Sequence, residues 1–154
     1  MKIGLVGLGR MGGAMSQRLR EQGFEVVGWD ANADRNKALG NSGLRIAANP
    51  RAIAAESEII ISIITEDHGV RRIFRGPEGF LRGDVAGKLF IEMSTLQPMT
   101  GRELAPFVES MGCWRCGLSQ GSPPPLAGIP WKWRGSAISA ITRVEASRST
   151  GACA

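Results

Sequence analysis

The sequence of 154 residues predicts an α/β fold in which a doubly wound parallel sheet forms a single domain, followed by an irregular C-terminal tail. Apolar runs alternate five times with segments of helical periodicity between residues 2 and 112. Such alternation with short links is typical of parallel strands joined by right-handed crossovers, with helices on both faces of the sheet. A glycine-rich turn directly after the first apolar run favours the same class. We therefore place the domain at 1–112 and the tail at 113–154.

The first apolar run, KIGLV at 2–6, predicts a strand buried on both faces. A helix begins at Arg10 and ends at the glycine of EQG, residues 21–23, because glycine is a common C-terminal stop. Its apolar positions at helical spacing are Met11, Ala14, Met15 and Leu19. Three elements complete this half: a strand FEVVGWD, a polar helix ANADRNKALGNSG and a brief strand LRIA.

The second half begins with a helix in which Asn49 is the N-cap and Pro50 takes the first helical position. The run EIIISII is the most apolar in the chain and predicts a central strand, followed by the charged helical segment EDHGVRRIF. The next stretch, GPEGFLRGDVAG, predicts a loop with room for one short helix, and KLFIEMS predicts another strand. The last helix, TLQPMTGRELAPFVESMG, has an apolar face at Leu104, Phe107, Val108 and Met111 and stops at Gly112.

The composition narrows the class of protein. A hydrophobic content of 43% is enough for a buried core, and no apolar run is long enough to cross a membrane. Three cysteines argue against a disulfide framework and agree with a reducing compartment. We therefore expect a cytoplasmic protein without a membrane partner.

The formal charge of +5 belongs mostly to the tail, where five basic residues stand against Glu145 alone. Residues 1–112 carry 14 basic and 13 acidic groups. A nucleic-acid partner is therefore not favoured, and it would depend on the basic, tryptophan-containing tail.

The spacing Gly7-x-Gly9-x-x-Gly12 lies between the first strand and the first helix, the context in which it predicts a dinucleotide site. In such folds the first glycine permits the tight turn, the second lets the backbone approach the pyrophosphate, and the third lets helix and strand pack closely. The free amides and the dipole of the helix N-terminus then face the phosphate charge. The sequence thus favours a Rossmann-like domain.

Asp30, at the end of the second strand, is the expected acceptor for the hydroxyl groups of an adenosine ribose. Its carboxylate would repel a 2′-phosphate and Ala31 supplies no guanidinium, so NAD is favoured over NADP. Arg35 keeps NADP open as a second cofactor. A purely structural turn with Asp30 as a solvated cap, a flavin, or a nucleotide sugar are the alternatives to this interpretation.

Four stretches in order, GLGRMGGAM, VVGWDAN, EIIISIITEDHGVRRIF and IEMSTLQPMTGREL, resemble the β-hydroxyacid dehydrogenase family, which includes 3-hydroxyisobutyrate and 6-phosphogluconate dehydrogenases. The resemblance covers residues 1–112. It implies pyrophosphate contacts from Gly7, Leu8, Gly9, Arg10 and Met11, beside the packing role of Gly12. It also implies that Ile64 and Thr65 lie beside the adenosine and ribose portions and Thr95 near the nicotinamide ribose. Thr65 departs from the Leu-Pro common at this point, and Thr95 also fits an ordinary helix N-cap.

The resemblance further implies hydride transfer between the nicotinamide and a small β-hydroxy acid or semialdehyde. In that family a lysine from a following helical domain is the general acid or base, and that domain also builds the dimer. No lysine follows Lys132, so we assign no catalytic residue and leave the oligomeric state open. The alternative function is a non-catalytic NAD(P)-binding module.

The tail loses periodicity while tryptophan, cysteine and basic residues accumulate, so our hypothesis is a frame-shifted or otherwise replaced segment of a truncated member. Ser119 and Gly121 faintly match the family's carboxylate-binding segment.

Cys113 and Cys116 lack further ligands at a recognised zinc spacing, so no metal site is predicted. His68 is expected at the surface.

Overall fold

The computed structural model describes residues 1–110 and the backbone of residues 114–117. Its strands are β1 (Lys2–Val6), β2 (Glu25–Trp29), β3 (Arg45–Ile46), β4 (Ile59–Ser62), β5 (Leu89–Glu92) and β6 (Trp114–Gly117). All of them pair in parallel, in the order β3-β2-β1-β4-β5-β6. The chain therefore winds outward in both directions from β1 and β4, which confirms the doubly wound Rossmann-like sheet. The point between these two strands is where such folds bind ligands.

Within residues 1–110, five α-helices connect the strands: α1 (Arg10–Glu21), α2 (Ala33–Asn41), α3 (Pro50–Glu56), α4 (Asp67–Arg75) and α5 (Pro98–Ser110). A single turn of 3₁₀ helix, Phe80–Arg82, occupies the loop in which one short helix was expected. The start of α3 follows the predicted local chemistry, because the Asn49 side chain accepts a hydrogen bond from the Ala52 amide at 2.8 Å.

The core lies between the central strands and the helices that follow them. All four residues of β4 are buried, and Val70, Ile73 and Phe74 form the buried side of α4. The rings of Phe74, Phe80 and Phe90 pack with centroids 5.1–5.5 Å apart. This aromatic cluster holds α4 against β5, and both elements border the candidate site.

Two apolar faces are less buried than their periodicity indicates. On α5, Leu104 and Val108 are buried, but Phe107 is 41% exposed and its ring packs under the Arg75 guanidinium at 4.2 Å. On α1, Met11 is 63% exposed, and the buried positions are Gly12, Ser16 and Leu19. Periodicity predicts which residues share a face but not how far the neighbouring element covers it. Met111, the remaining member of the α5 face, lies outside the described residues.

The prediction of an irregular tail from residue 113 is wrong at residues 114–117, which form β6. This strand pairs along the whole of β5, from Leu89 with Trp114 to Glu92 with Gly117. Its four residues, WRCG, are too short a run to identify a strand from the sequence, whereas the edge of β5 offers backbone partners to all four. The first compact unit of the chain accordingly runs from Met1 to Gly121, past the predicted boundary. The second, Ser122–Ala154, lies outside the described residues.

Candidate cofactor site

The glycine turn between β1 and α1 depends on two glycines for its own shape. Gly7 has a φ of +95°, a conformation that residues with a side chain rarely adopt. A Cβ atom on Gly7 would also lie closer than 3.0 Å to the Ile63 carbonyl oxygen. A Cβ on Gly12 would lie closer than 3.0 Å to the Gly7 carbonyl oxygen, because α1 starts directly against the turn. Both positions are therefore fixed by the fold.

Gly9 is different, because nothing in the described part of the protein requires a glycine there. Its φ of −64° suits any residue. A Cβ at this position would contact only the Arg35 Nη1 atom, at an ordinary distance of 3.8 Å. Gly9 is the N-cap of α1, it makes no side-chain cap, and the first turn contains no acidic residue. The open side of Gly9 and the uncapped helix end together leave room and amide donors for an anion.

Asp30 connects the glycine turn to the end of β2. Its Oδ2 atom accepts a hydrogen bond from the Leu8 amide at 2.6 Å, and its Oδ1 atom accepts one from the Asn32 amide at 2.8 Å. The residue is only 6% exposed. Asp30 therefore holds the turn in place, a role additional to the predicted one of binding a ribose.

Arg35 already contacts Asp30, with its Nη1 atom 3.3 Å from Oδ2. The arginine side chain is 54% exposed, while that of Asp30 is 7% exposed. The guanidinium thus lies over the carboxylate and beside Gly9 at the mouth of the site. A carboxylate has about four acceptor positions, so the three described donors leave one for a ligand.

A pocket of about 300 Å³ opens beyond the glycine turn, at the carboxyl ends of β4 and β5. Its described lining consists of Met11, Ile63, Ile64, Thr65, Met93, Ser94 and Thr95. Four of the predicted site residues, Met11, Ile64, Thr65 and Thr95, therefore lie together. Arg10 is exposed at the start of α1. Leu8 is buried and its amide is bonded to Asp30, so its described contacts are all internal.

Sequence reasoning missed Ile63, Met93 and Ser94 in this lining, and also the hydrogen bonds that support it. Ser94 Oγ accepts from the Ile64 amide at 2.7 Å, and the Ser94 amide donates to Glu92 Oε1 at 2.8 Å. The carboxyl ends of adjacent parallel strands share one edge, so the residues that follow β4 and β5 are the signal that identifies these positions.

Glu92 lies beneath this lining, at the end of β5. The Ser62 hydroxyl at the end of β4 donates to Glu92 Oε2. Burial raises the pKa of the Glu92 carboxyl, although hydrogen bonds from Ser62 and Ser94 oppose the shift. Ser62 and Ser94 are both buried.

Other predicted features either lie apart or are not described. His68 is exposed, as expected. Among residues 1–110, no group of three or more histidine, cysteine, aspartate or glutamate side chains is arranged to hold a metal, and no helix is long and apolar enough to span a membrane. The cysteine pair for which no zinc site was predicted, the carboxylate-binding match and the last lysine fall on side chains outside the described residues: Cys113, Cys116, Ser119, Gly121 and Lys132.

Comparison with known proteins gives one family match. The family described as the NAD binding domain of 6-phosphogluconate dehydrogenase matches residues 2–122. The mitochondrial 3-hydroxyisobutyrate dehydrogenase of Mus musculus is 31% identical over 110 residues, which cover 71% of this chain and 33% of that protein. The cytokine-like nuclear factor N-PAC of Danio rerio is 32% identical over 111 residues, 72% of this chain and 24% of that protein. The chain thus spans a third or less of the length of these relatives.

Solved structures agree with this match. The 3-hydroxyisobutyrate dehydrogenase of Mycobacterium tuberculosis with L-serine superposes with a TM-score of 0.69 at 27% identity, over 75% of this chain and 39% of that one. An imine reductase from Myxococcus stipitatus in complex with NADP+ gives a TM-score of 0.68 at 21% identity, over 76% and 40%. The second likeness shows the fold alone.

Proposed function

Because the chain belongs to the family of the NAD-binding domain of 6-phosphogluconate dehydrogenase, we propose that it is the cofactor-binding part of a dehydrogenase of the β-hydroxyacid type. The observation that carries this proposal is the space beside Gly9. Unlike Gly7 and Gly12, this glycine is not required by the packing of the described chain, and it borders the uncapped end of α1. A group that must approach the backbone closely from outside explains its identity.

The pyrophosphate is assigned to the first turn of α1. The amides of this turn point out of the helix end, and the helix dipole adds a partial positive charge there. Gly9 lets the phosphate oxygens reach these amides, and Arg10 and Met11 follow in the same turn.

The adenosine ribose is assigned to Asp30 at the end of β2, where one acceptor position remains. Its position beside the glycine turn matches the ribose acceptor of dinucleotide folds. Arg35 offsets the charge of this carboxylate, which lowers its repulsion of a 2′-phosphate. We therefore propose NAD as the main cofactor and NADP as a second one.

The nicotinamide half is assigned to the pocket at the ends of β4 and β5. A dinucleotide crosses the switch point between β1 and β4, so an adenosine over β2 places the other half over β4 and β5. The hydroxyl groups of Thr65, Ser94 and Thr95 border this pocket and offer hydrogen bonds to the second ribose. This proposal moves Ile64 and Thr65 from the adenosine side, which the resemblance implied, to the nicotinamide side.

The bound cofactor would take hydride from a carbon that bears a hydroxyl group or, in the reverse direction, give it to the corresponding carbonyl carbon. The chain's own residues would hold the cofactor and orient the nicotinamide face towards the substrate. The substrate class follows the relatives, two of which carry the name 3-hydroxyisobutyrate dehydrogenase. We propose a small β-hydroxy acid or its semialdehyde, in the context of a complete dehydrogenase.

A second candidate function is cofactor binding without turnover. None of the seven described lining residues has a side chain suited to general acid or base catalysis near neutral pH. Proton transfer needs such a group within hydrogen-bond distance of the reacting oxygen. A reductase assay with a panel of small semialdehydes separates the two candidates, since only a dehydrogenase consumes NADH.

Isothermal calorimetry with NAD+, comparing the wild type with Gly9→Ala, tests cofactor binding at the turn. The added methyl group fits the described protein but occupies the space assigned to the pyrophosphate, so affinity should fall about tenfold or more while thermal stability is retained. Gly101→Ala is the matched control, because a Cβ at Gly101 meets nothing within 4 Å and lies on α5. Absence of binding by the wild type, or equal binding by Gly9→Ala, would contradict the proposal.

A further inference from the structure

The carboxylate of Glu92 lies at the centre of a hydrogen-bonded group that joins the two walls of the pocket. Ser62, in register with Glu92 across β4 and β5, donates its hydroxyl to Oε2. The Ser94 amide donates to Oε1 at 2.8 Å. Ser94 Oγ in turn accepts from the Ile64 amide at 2.7 Å. We call the segments around Ile64 and Ser94 the two walls of the pocket. The Glu92 carboxylate bonds directly to the Ser94 wall and is linked to the Ile64 wall through Ser94.

This arrangement places a negative charge behind the pocket without exposing it inside. Ser94 belongs to the lining, whereas Glu92 does not. The groups that contact the carboxylate in the described part of the chain, Ser62 and Ser94, are uncharged, and Gly117 of β6 lies in register on its other side. No described ion pair involves Glu92, so no described countercharge offsets the field of its carboxylate at the pocket.

The two redox forms of a nicotinamide differ in just this respect, because the oxidised ring carries a positive charge and the reduced ring is neutral. We propose that Glu92 is a positioning residue that holds the Ile64 and Ser94 walls together and makes the pocket prefer the oxidised coenzyme over the reduced one. This inference rests on the proposed function, since it requires the nicotinamide to lie in this pocket.

The preference should depend on pH. Burial raises the pKa of the Glu92 carboxyl above its usual value, so as the pH falls this carboxyl loses its charge at a higher pH than an exposed glutamate does. Protonation removes the charge and turns one oxygen from an acceptor into a donor. As the pH is lowered, the affinity for NAD+ should therefore decrease more steeply than the affinity for NADH. Asp67 and His68 are titratable residues at the start of α4, and they come shortly after Ile64 and Thr65 of the pocket lining in the chain. Because they can also contribute to a pH profile, only the difference between variant and wild type is assigned to Glu92.

The test measures NAD+ affinity by calorimetry and NADH affinity by fluorescence, between pH 5 and pH 8. Glu92→Gln keeps the shape and one acceptor for the Ser94 amide, while the Ser62 hydroxyl can rotate to accept from its amide group. We expect the ratio of NAD+ to NADH affinity to fall about fivefold at pH 8 and to lose most of its pH dependence. Glu109→Gln, an exposed change of equal charge on α5, should leave the ratio unchanged.

Ser62→Ala is the second variant, and it decides the matter if Glu92→Gln does not fold. It removes one donor from the carboxylate, so the preference for NAD+ should be lost at a higher pH than in the wild type. An unchanged ratio in Glu92→Gln, or an unshifted profile in Ser62→Ala, overturns the inference alone. Failure of the wild type to bind either coenzyme overturns the proposed function as well.

Discussion

The glycine turn after β1 and the pocket at the ends of β4 and β5 lie on the same edge of the sheet but are built differently. The turn consists of backbone, and its shape depends on the missing side chains of Gly7 and Gly12. The pocket consists of side chains and is held by the bonds among Ser62, Glu92 and Ser94. One half of a dinucleotide site can therefore be predicted from a sequence motif, whereas the other half becomes visible only from the packing of the folded chain.

Substitution of Gly12 should have the largest effect, because it attacks the turn through the fold itself. In Gly12→Ala the added methyl group meets the Gly7 carbonyl and the Leu5 side chain, so α1 has to move away from β1. We expect the free energy of unfolding to fall by at least about 2 kcal/mol. Urea denaturation checks this, with Gly101→Ala as the control on an open helix face. A stable Gly12→Ala would show that the turn tolerates a side chain.

Asp30→Ala should have the next largest effect, on both stability and binding. It leaves the buried Leu8 amide and the partly buried Asn32 amide without their acceptor, which costs about 1–3 kcal/mol of unfolding free energy. NAD affinity should fall about tenfold with it, since the ribose loses its acceptor. Denaturation and calorimetry measure the two effects. The exposed Asp34→Ala on α2 controls for charge, and equal behaviour of the two variants would disprove the assigned role.

Arg35→Ala should have a smaller effect, on the ratio of NADP affinity to NAD affinity. Its loss leaves the Asp30 carboxylate without a countercharge, so NADP should weaken about threefold more than NAD. Titration with both cofactors measures the ratio. Arg18→Ala is the matched control, because it removes an exposed arginine that pairs with Glu21 on α1. A ratio that moved towards NADP would mean that Arg35 does not act through Asp30.

Lowering the pH should have the smallest effect, and it acts on the contact between α4 and α5. The Arg71 side chain donates to Glu103 and lowers the pKa of that carboxyl, which helps to join α4 to α5. A lowered pKa favours the folded state above the unfolded value of about 4.5, and this contribution is lost as the pH falls through the folded value. The stability difference between wild type and Glu103→Gln should therefore be small at pH 7 and vanish once the pH has fallen below the lowered pKa of the folded state. A difference that grew in acid would contradict this sign.

Local signals in the sequence predicted the five strands, the capped start of α3 and the whole glycine turn, because each depends on neighbouring residues. The partners of Asp30 were not predictable, since its bonds to Leu8 and Arg35 depend on how β2 meets the turn. Glu92 escaped notice because its partners lie on another strand and in the following loop. The strand β6 was not predicted for the same reason, because its backbone partners lie on β5 and its own four residues are too short a run to identify a strand.

The most direct test of a site that spans both regions is an NMR titration of the isotope-labelled chain with NAD+. If one NAD+ molecule spans both regions, the amides of Gly9, Arg10 and Met11 should shift together with those of Ser94 and Thr95, at one common dissociation constant. Shifts confined to one of these two groups, or distributed elsewhere, would contradict a single dinucleotide bound across the turn and the pocket.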